Sequence, residues 1–262
     1  MGEGADAMAW QWEKMQKKQW DPASFLGSPS HGSANSRETA VIIINTSIAR
    51  ADVFEAIWAN ASLRMCADGG ANRLFDAFVN HESHIPDLIK GDLDSLRDDV
   101  REFYEGRAVP IIVDKDQYAT DLGKCIESVK EIEQSKGKQY QVIIFGGLSG
   151  RFDQTAHTIH ALYKLRKARD WSWIVSEESL TCLLDTGFHE LIQPRIYLGP
   201  TCGILPIGVD RARVTTTGLE WDLTNAETSF DGMLSTSNHL VKELITVQTD
   251  RPVLWTAELR TA

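Results

Sequence analysis

No apolar stretch approaches the roughly 20 residues that a membrane-spanning helix needs, so no bilayer segment is expected. Cysteine is scarce. Cys66, Cys125, Cys182 and Cys202 stand far apart in 262 residues with no C-x-x-C pair, which excludes a disulfide scaffold and a cysteine-rich zinc site. Cys66 and Cys125 fall inside apolar patterns and read as buried, reduced thiols. Positive charge is also short: 27 Lys and Arg oppose 37 Asp and Glu, for a formal net charge of −10. Nucleic-acid and membrane-surface binding are disfavoured on that balance, because phosphate backbones recruit Lys and Arg. A local pocket for a small anion is still allowed. The N-terminus carries acidic residues and lacks the apolar core of a secretory signal, and the chain reads as cytoplasmic. Neither G-x-x-x-x-G-K-[ST] nor G-x-G-x-x-G occurs, so the P-loop and Rossmann signatures are absent. There is no internal repeat.

What is present divides the chain into three. Residues 1–38 read as an extension, with Trp10, Trp12 and Trp20 in a polar context and a Gly/Ser/Pro linker at Gly27–Ser36. Residues 39–178 alternate short apolar runs with amphipathic stretches. Ala40–Asn45, Leu63–Asp68, the run into Gly91, Val109–Asp114 and Gln141–Gly147 have strand length. Between them, residues 51–60, 72–79, about 95–104, 121–132 and 153–169 carry helical spacing, with Ser95 and Thr120 as expected caps. Such alternation predicts an α/β domain, a mostly parallel sheet flanked by helices. Beyond residue 171 the helical period disappears. Short alternating runs separated by turn signals such as Gly199-Pro200 and Asp231-Gly232 predict a C-terminal antiparallel β-sandwich over residues 179–262.

In parallel α/β sheets, ligands bind at the carboxyl ends of the strands. Every polar cluster of the first domain falls at such an end: Asp68-Gly-Gly-Ala-Asn72, Gly91-Asp-Leu-Asp94, the stretch Asp114 to Asp121, and Gly146-Gly-Leu-Ser-Gly-Arg-Phe-Asp153. Asp92, Asp94 and Asp121 are hard oxygen donors of the kind that hold Mg²⁺ beside substrate phosphates. In an extended chain, Asp92 and Asp94 point to one side. Gly146, Gly147 and Gly150 let the backbone approach a phosphate, Asp153 opens a helix whose free N–H groups favour anions, and Arg151 adds a bidentate grip. Carboxylates for a metal beside a Gly/Arg turn point to phosphoryl-group transfer. The β domain holds a second cluster, Thr215 to Asn225 with Ser235-Thr-Ser-Asn238. There Trp221 offers a flat face to an aromatic or cationic ligand, and Ser235 and Asn238 offer hydrogen bonds.

Taken in order, D-G-G-A-N-R, G-D-x-D-S, T-D, G-G-x-x-G-R-x-D-Q, T-T-T-G-L-x-W-x-L-T-N and S-T-S-N resemble thiamin pyrophosphokinases of the eukaryotic type, over about residues 40–260. The resemblance implies an α/β catalytic domain followed by a β-sandwich, and a homodimer with active sites between subunits. It also implies transfer of a diphosphate from ATP to the hydroxyl of thiamin, giving thiamin diphosphate and AMP. On that resemblance Mg²⁺ falls to Asp92, Asp94 and Asp121. ATP falls to the Gly146–Gly150 turn, Arg151 and Asp153, with Asp68 and Thr120 counted among the nucleotide-binding residues. Thiamin falls to Gln117, Trp221, Ser235 and Asn238, the last three from the partner chain. The stretch from Asp114 to Asp121 is longer than in some members, which leaves the register of Gln117 open. Two other readings stay open: a D-x-D nucleotidyl- or glycosyl-transferase, and a non-catalytic thiamin- or nucleotide-binding protein.

Overall fold

The computed structural model describes residues 17–27 and 37–260. Trp10, Trp12 and linker residues 28–36 lie outside them. The chain forms two compact units: residues 24–179, and the residues from Leu180 onward together with the described residues up to Ala23.

A short strand β1 (Lys18–Trp20) and a one-turn helix α1 (Ala23–Leu26) precede the alternating part of the chain. There β2 (Thr39–Ile43), α2 (Ala51–Asn60), β3 (Ala61–Ala67), α3 (Gly70–Ala77), β4 (Leu88–Gly91), α4 (Asp98–Glu105), β5 (Ile111–Val113), α5 (Asp121–Lys136), β6 (Gln141–Phe145), α6 (Phe152–Leu165) and β7 (Ser172–Val175) follow one another. The six strands β2 to β7 pair in the order β7-β6-β2-β3-β4-β5, every pair parallel. All five residues of β2 and of β6 are buried, as expected for central strands covered on both faces. That is why they read as unbroken apolar runs. The helices bury the faces their spacing predicts: α2 sinks Val53, Phe54, Ile57 and Trp58. Helix α5 is capped by Thr120 Oγ1, which accepts the Gly123 N–H at 3.2 Å, and ends at Gly137 in the left-handed region.

Two local expectations change. Ser95 does not cap α4; the helix starts three residues later with Arg97 at its N-cap and no side-chain capping bond. Trp173–Val175, which the change of pattern at residue 171 groups with the short runs of the antiparallel part, joins the parallel sheet beside β6 instead.

The second unit is all β. Strands β8 (Ser179–Leu184), β9 (Gly187–Ile192), β10 (Leu198–Leu205), β11 (Ala212–Thr217), β12 (Ala226–Thr228), β13 (Ser235–His239), β14 (Leu244–Thr249) and β15 (Val253–Leu259) follow in sequence. One sheet runs β1-β9-β14-β11-β12, and a second strand set runs β13-β10-β15-β8. The pairs β9-β14, β14-β11, β11-β12, β13-β10 and β10-β15 are antiparallel, whereas β1 joins β9 in parallel. Residues 18–20, within the segment read as an extension, thus form an edge strand. Trp20 anchors it, 2% exposed, with its Nε1–H donated to His189 Nδ1 at 3.1 Å.

All four cysteines are free and buried. No helix among the described residues is long and apolar enough to cross a membrane.

Candidate active site

The parallel sheet turns its strand order between β2 and β6, since the chain leaves β2 towards β3 on one side and later adds β6 and β7 on the other. Crevices at such a switch point, outside the carboxyl ends of the strands, are where ligands bind in this architecture. Thr46, Ser47 and Arg50 after β2, Gly146 and Ser149 after β6, and Ser176 after β7 line a small cavity there.

Two strands along, β4 ends at Gly91, so strand alternation is not what brings Asp92 and Asp94 together. A tight turn does. Leu93 takes φ +64°, a left-handed conformation costing a side chain about 1–2 kcal/mol, and the Asp94 N–H closes onto Asp92 Oδ1 at 3.2 Å. Asp68, also at positive φ, projects from the end of β3. Donor oxygens of Asp68, Asp92 and Asp94 all lie within 4.8 Å of one another. Asp68 Oδ2 accepts the Ser95 N–H at 3.2 Å, whereas Oδ1 is buried without a hydrogen-bond partner among the described residues. Burial raises the Asp68 carboxyl above its ordinary range. Hydrogen bonding from Ser95 opposes that rise, and the charge of Asp121 adds to it. An orphaned carboxylate oxygen beside two further carboxylates fits a hard divalent cation such as Mg²⁺.

Asp121 stands next to this trio. Its Oδ1 accepts the Asp92 N–H at 3.1 Å and the Lys124 ammonium at 3.1 Å. A Cβ on Gly91 would lie 2.7 Å from Asp68 Cβ and 3.0 Å from Asp121 Oδ1, so glycine is required where the two carboxylates converge. Burial opposes the charge on Lys124, but Asp121, Asp92 and Asp114 outweigh it and raise its pKa. Asn72 holds the loop from below, donating Nδ2–H to Ser95 O at 2.6 Å and accepting the Arg97 N–H at 3.1 Å.

The glycine turn follows β6. Gly146, Gly147 and Gly150 have φ of +99°, +90° and +81°. At Gly147 a Cβ would sit 2.6 Å from Thr158 Oγ1, so both conformation and space demand glycine. Arg151 and Asp153 form an exposed ion pair at 2.6 Å across the start of α6. Thr120 Oγ1 lies 2.7 Å from His157 Nε2, which ties the start of α5 to α6. Burial, then the charges of His160 and Lys164, lower the His157 pKa. Gln117 sits in the exposed loop before Thr120, its Nε2 donating to Lys115 O at 3.5 Å.

In the β unit, Trp221 is 56% exposed on a turn between β11 and β12. Asp222 builds that turn, accepting from Thr216 Oγ1, Gly218 N and Leu219 N at 3.0–3.1 Å. Asn238 is buried, and both ends of its amide serve the Trp221 backbone, Oδ1 accepting N–H at 3.2 Å and Nδ2 donating to O at 2.9 Å. It shapes the turn. Ser235 is buried at the start of β13. His239 lies beside the Trp221 ring, centroids 5.4 Å apart, and is held by Glu220 at 2.6 Å.

These positions can be set against known proteins. A model of the thiamin pyrophosphokinase catalytic domain matches residues 54–175, and a model of the thiamin pyrophosphokinase vitamin B1 binding domain matches residues 189–254. Thiamine pyrophosphokinase 2 of Arabidopsis thaliana is 38% identical over 234 residues, covering 84% of this chain and 86% of the relative. The chain belongs to the thiamin pyrophosphokinase family. A thiamine pyrophosphokinase of Saccharomyces cerevisiae is 30% identical over 244 residues, 72% of this chain and 75% of the relative. Among solved structures, thiamin pyrophosphokinase from Candida albicans superposes with a TM-score of 0.82 over 93% of both chains at 23% identity, a likeness of fold. Yeast thiamin pyrophosphokinase superposes at 0.77 over 94% of this chain and 91% of that one, at 26% identity. Both family domains, one carrying the strand-end carboxylates and the other the Trp221 turn, are thus present in the order the motifs predict.

The sequence points to Asp92, Asp94 and Asp121 as metal ligands, and the family resemblance assigns Asp68 to the nucleotide. The geometry groups Asp68 with Asp92 and Asp94, and gives Asp121 to Lys124 and the Asp92 amide. Asn72 and Asp222 stand inside the clusters the sequence marks, Asp68–Asn72 and Thr215–Asn225, without a role of their own there, and Lys124 stands outside every cluster.

Proposed function

We propose that this chain is an ATP:thiamin diphosphotransferase that uses Mg²⁺, joining the terminal diphosphate of ATP to the thiamin hydroxyl and releasing AMP. The observation that carries the reading is the meeting of a three-carboxylate cluster and a three-glycine turn on one strand-end rim, in a chain of this family. Asp68, Asp92 and Asp94 would hold the cation, which supplies charge neutralisation at phosphate oxygens. The N–H groups of the Gly146–Gly150 turn and of the first turn of α6 receive the phosphates. Arg151 can leave its exposed pairing with Asp153 to grip them. Gln117 and Ser235 contribute hydrogen bonds to thiamin. Trp221 offers its face to the cationic, aromatic substrate, and Asn238 keeps that ring in place through the backbone.

A homodimer with shared sites belongs to the same proposal. Trp221, Phe230 and Met233 leave much of their apolar surface exposed on the β unit, surface that a second copy could cover. A cytoplasmic location is in keeping with four buried, unpaired thiols. The reading is tested with ATP labelled at the β-phosphorus. The label should appear in thiamin diphosphate, and label remaining in ADP would remove the diphosphate transfer.

A further inference from the structure

Helix α5 turns two polar residues inward. Lys124 and Ser128 are buried on it alongside Leu122, Cys125, Ile126 and Val129, where an amphipathic helix normally presents apolar side chains. The Lys124 side chain is 2% exposed, and a buried ammonium is costly unless it is paired. Its partner is Asp121 Oδ1 at 3.1 Å, the same oxygen that takes the Asp92 amide at 3.1 Å. A single carboxylate oxygen therefore joins the turn after β4, the first turn of α5 and the buried lysine. One helical turn further on, Ser128 Oγ receives Lys90 Nζ at 3.0 Å, and Lys90 lies 3.6 Å from Asp114. Two largely buried cations thus lie behind the carboxylate rim, and the trio of Asp68, Asp92 and Asp94 includes the partner of neither.

We propose that Lys124 is a positioning residue for the transfer reaction: it fixes Asp121 through one oxygen and, through the Asp92 amide bound there, sets the turn that carries Asp92 and Asp94. This rests on the diphosphotransferase reading above. The same fixed charge weakens the hold of the trio on a divalent cation. Lys124 therefore moves two quantities in opposite directions. It raises turnover by holding geometry, and it lowers cation affinity by repulsion.

The test compares Lys124→Met, which keeps an unbranched stem without charge, with Lys124→Arg, on the full chain. Mn²⁺ binding to the nucleotide-free protein is followed by electron paramagnetic resonance, and kcat and KM for thiamin and ATP are measured with Mg²⁺. In Lys124→Met, Mn²⁺ should bind roughly tenfold tighter, the order of effect that removing one neighbouring unit charge has on a divalent ion. Its kcat should fall on the order of 100-fold, the scale of a small misplacement of reacting groups, with KM changed little. Lys124→Arg should restore most of kcat and the wild-type Mn²⁺ affinity. Wild-type kcat and Mn²⁺ affinity in Lys124→Met would overturn the proposal. So would a lowered melting temperature with weaker Mn²⁺ binding that Lys124→Arg does not restore. If the wild-type chain shows no thiamin-dependent turnover, the functional reading fails, and unchanged Mn²⁺ affinity in Lys124→Met would then refute the charge argument separately.

Discussion

Replacing Asp94 by Asn should make the cation-free protein more stable while nearly abolishing its activity. The donor oxygens of Asp68, Asp92 and Asp94 lie within 4.8 Å of one another. At that separation each pair of charges repels by about 0.9 kcal/mol in a water-like dielectric, and about 3.5 kcal/mol at an effective dielectric constant of 20. Removing the Asp94 charge deletes two of the three pairs. Asp94 is exposed, so the lower figure governs, and the relief is about 2 kcal/mol. Local structure is retained, because the Asn Oδ1 can still accept the Ser95 hydroxyl bond that Asp94 Oδ1 accepts at 2.9 Å. At roughly 2–4 °C per kcal/mol for a chain of this size, the melting temperature in EDTA should rise by about 4–8 °C. Wild-type protein should gain stability on adding Mg²⁺, as any ligand specific to the folded state requires, and the variant should gain little. Turnover should fall by about 100-fold or more, the scale for losing a charge-stabilising group at a reacting centre. Scanning calorimetry with and without Mg²⁺, beside an AMP-release assay, reads all three. A melting temperature in EDTA at or below wild type, with the Mg²⁺ response retained, would refute the reasoning.

Three further outcomes follow. Trp221→Ala, at a position 56% exposed, should leave the melting temperature within about 1 °C, as surface changes do, and raise KM for thiamin at least tenfold. Mixing Trp221→Ala with Asp94→Asn after shared refolding should restore activity if sites are completed between subunits, and restore none if each chain is self-sufficient. His189 gives a pH dependence. Burial lowers its pKa to about 4, below the unfolded value near 6.5. The folded state therefore binds fewer protons, and this contribution to stability is full above pH 6.5 and is lost as pH falls towards 4. The loss amounts to roughly 3 kcal/mol. Protonation at Nδ1 also removes the acceptor for Trp20 Nε1. Thermal melts between pH 4 and 7 should show the slope and His189→Asn should flatten it; a wild-type profile without that slope would contradict the assignment.

The parts legible in the sequence were those set by local pattern. Val41–Ile43 and Val142–Ile144 are apolar without interruption because both faces of the sheet are covered, and the strand-end rule placed the acidic and glycine clusters on one rim. What escaped depends on side-chain partners and backbone conformations that apolar spacing does not encode, some far along the chain and some within a single turn. Strand β9 carries His189 and Glu190, which break its apolar run, yet His189 is buried because Trp20, 169 residues earlier, donates to it. Lys124 falls off the apolar spacing of α5, yet its side chain is 2% exposed, with its ammonium 3.1 Å from Asp121 one turn back. Ser95 has the spacing of a cap and is diverted instead to Asp68 and Asp94. The pairing of Asp92 with Asp94 was foreseen from strand alternation, whereas the left-handed Leu93 brings it about. Asn238 reads as a ligand contact because its amide is polar, and the folded chain spends that amide on the backbone of Trp221.

The central claim is tested most directly by incubating the wild-type protein with ATP, Mg²⁺ and thiamin while quantifying AMP and thiamin diphosphate in the same samples. The account predicts that both appear in equal amounts, only when thiamin is present, and not in EDTA. ADP with thiamin monophosphate, or nucleotide turnover indifferent to thiamin, would contradict it.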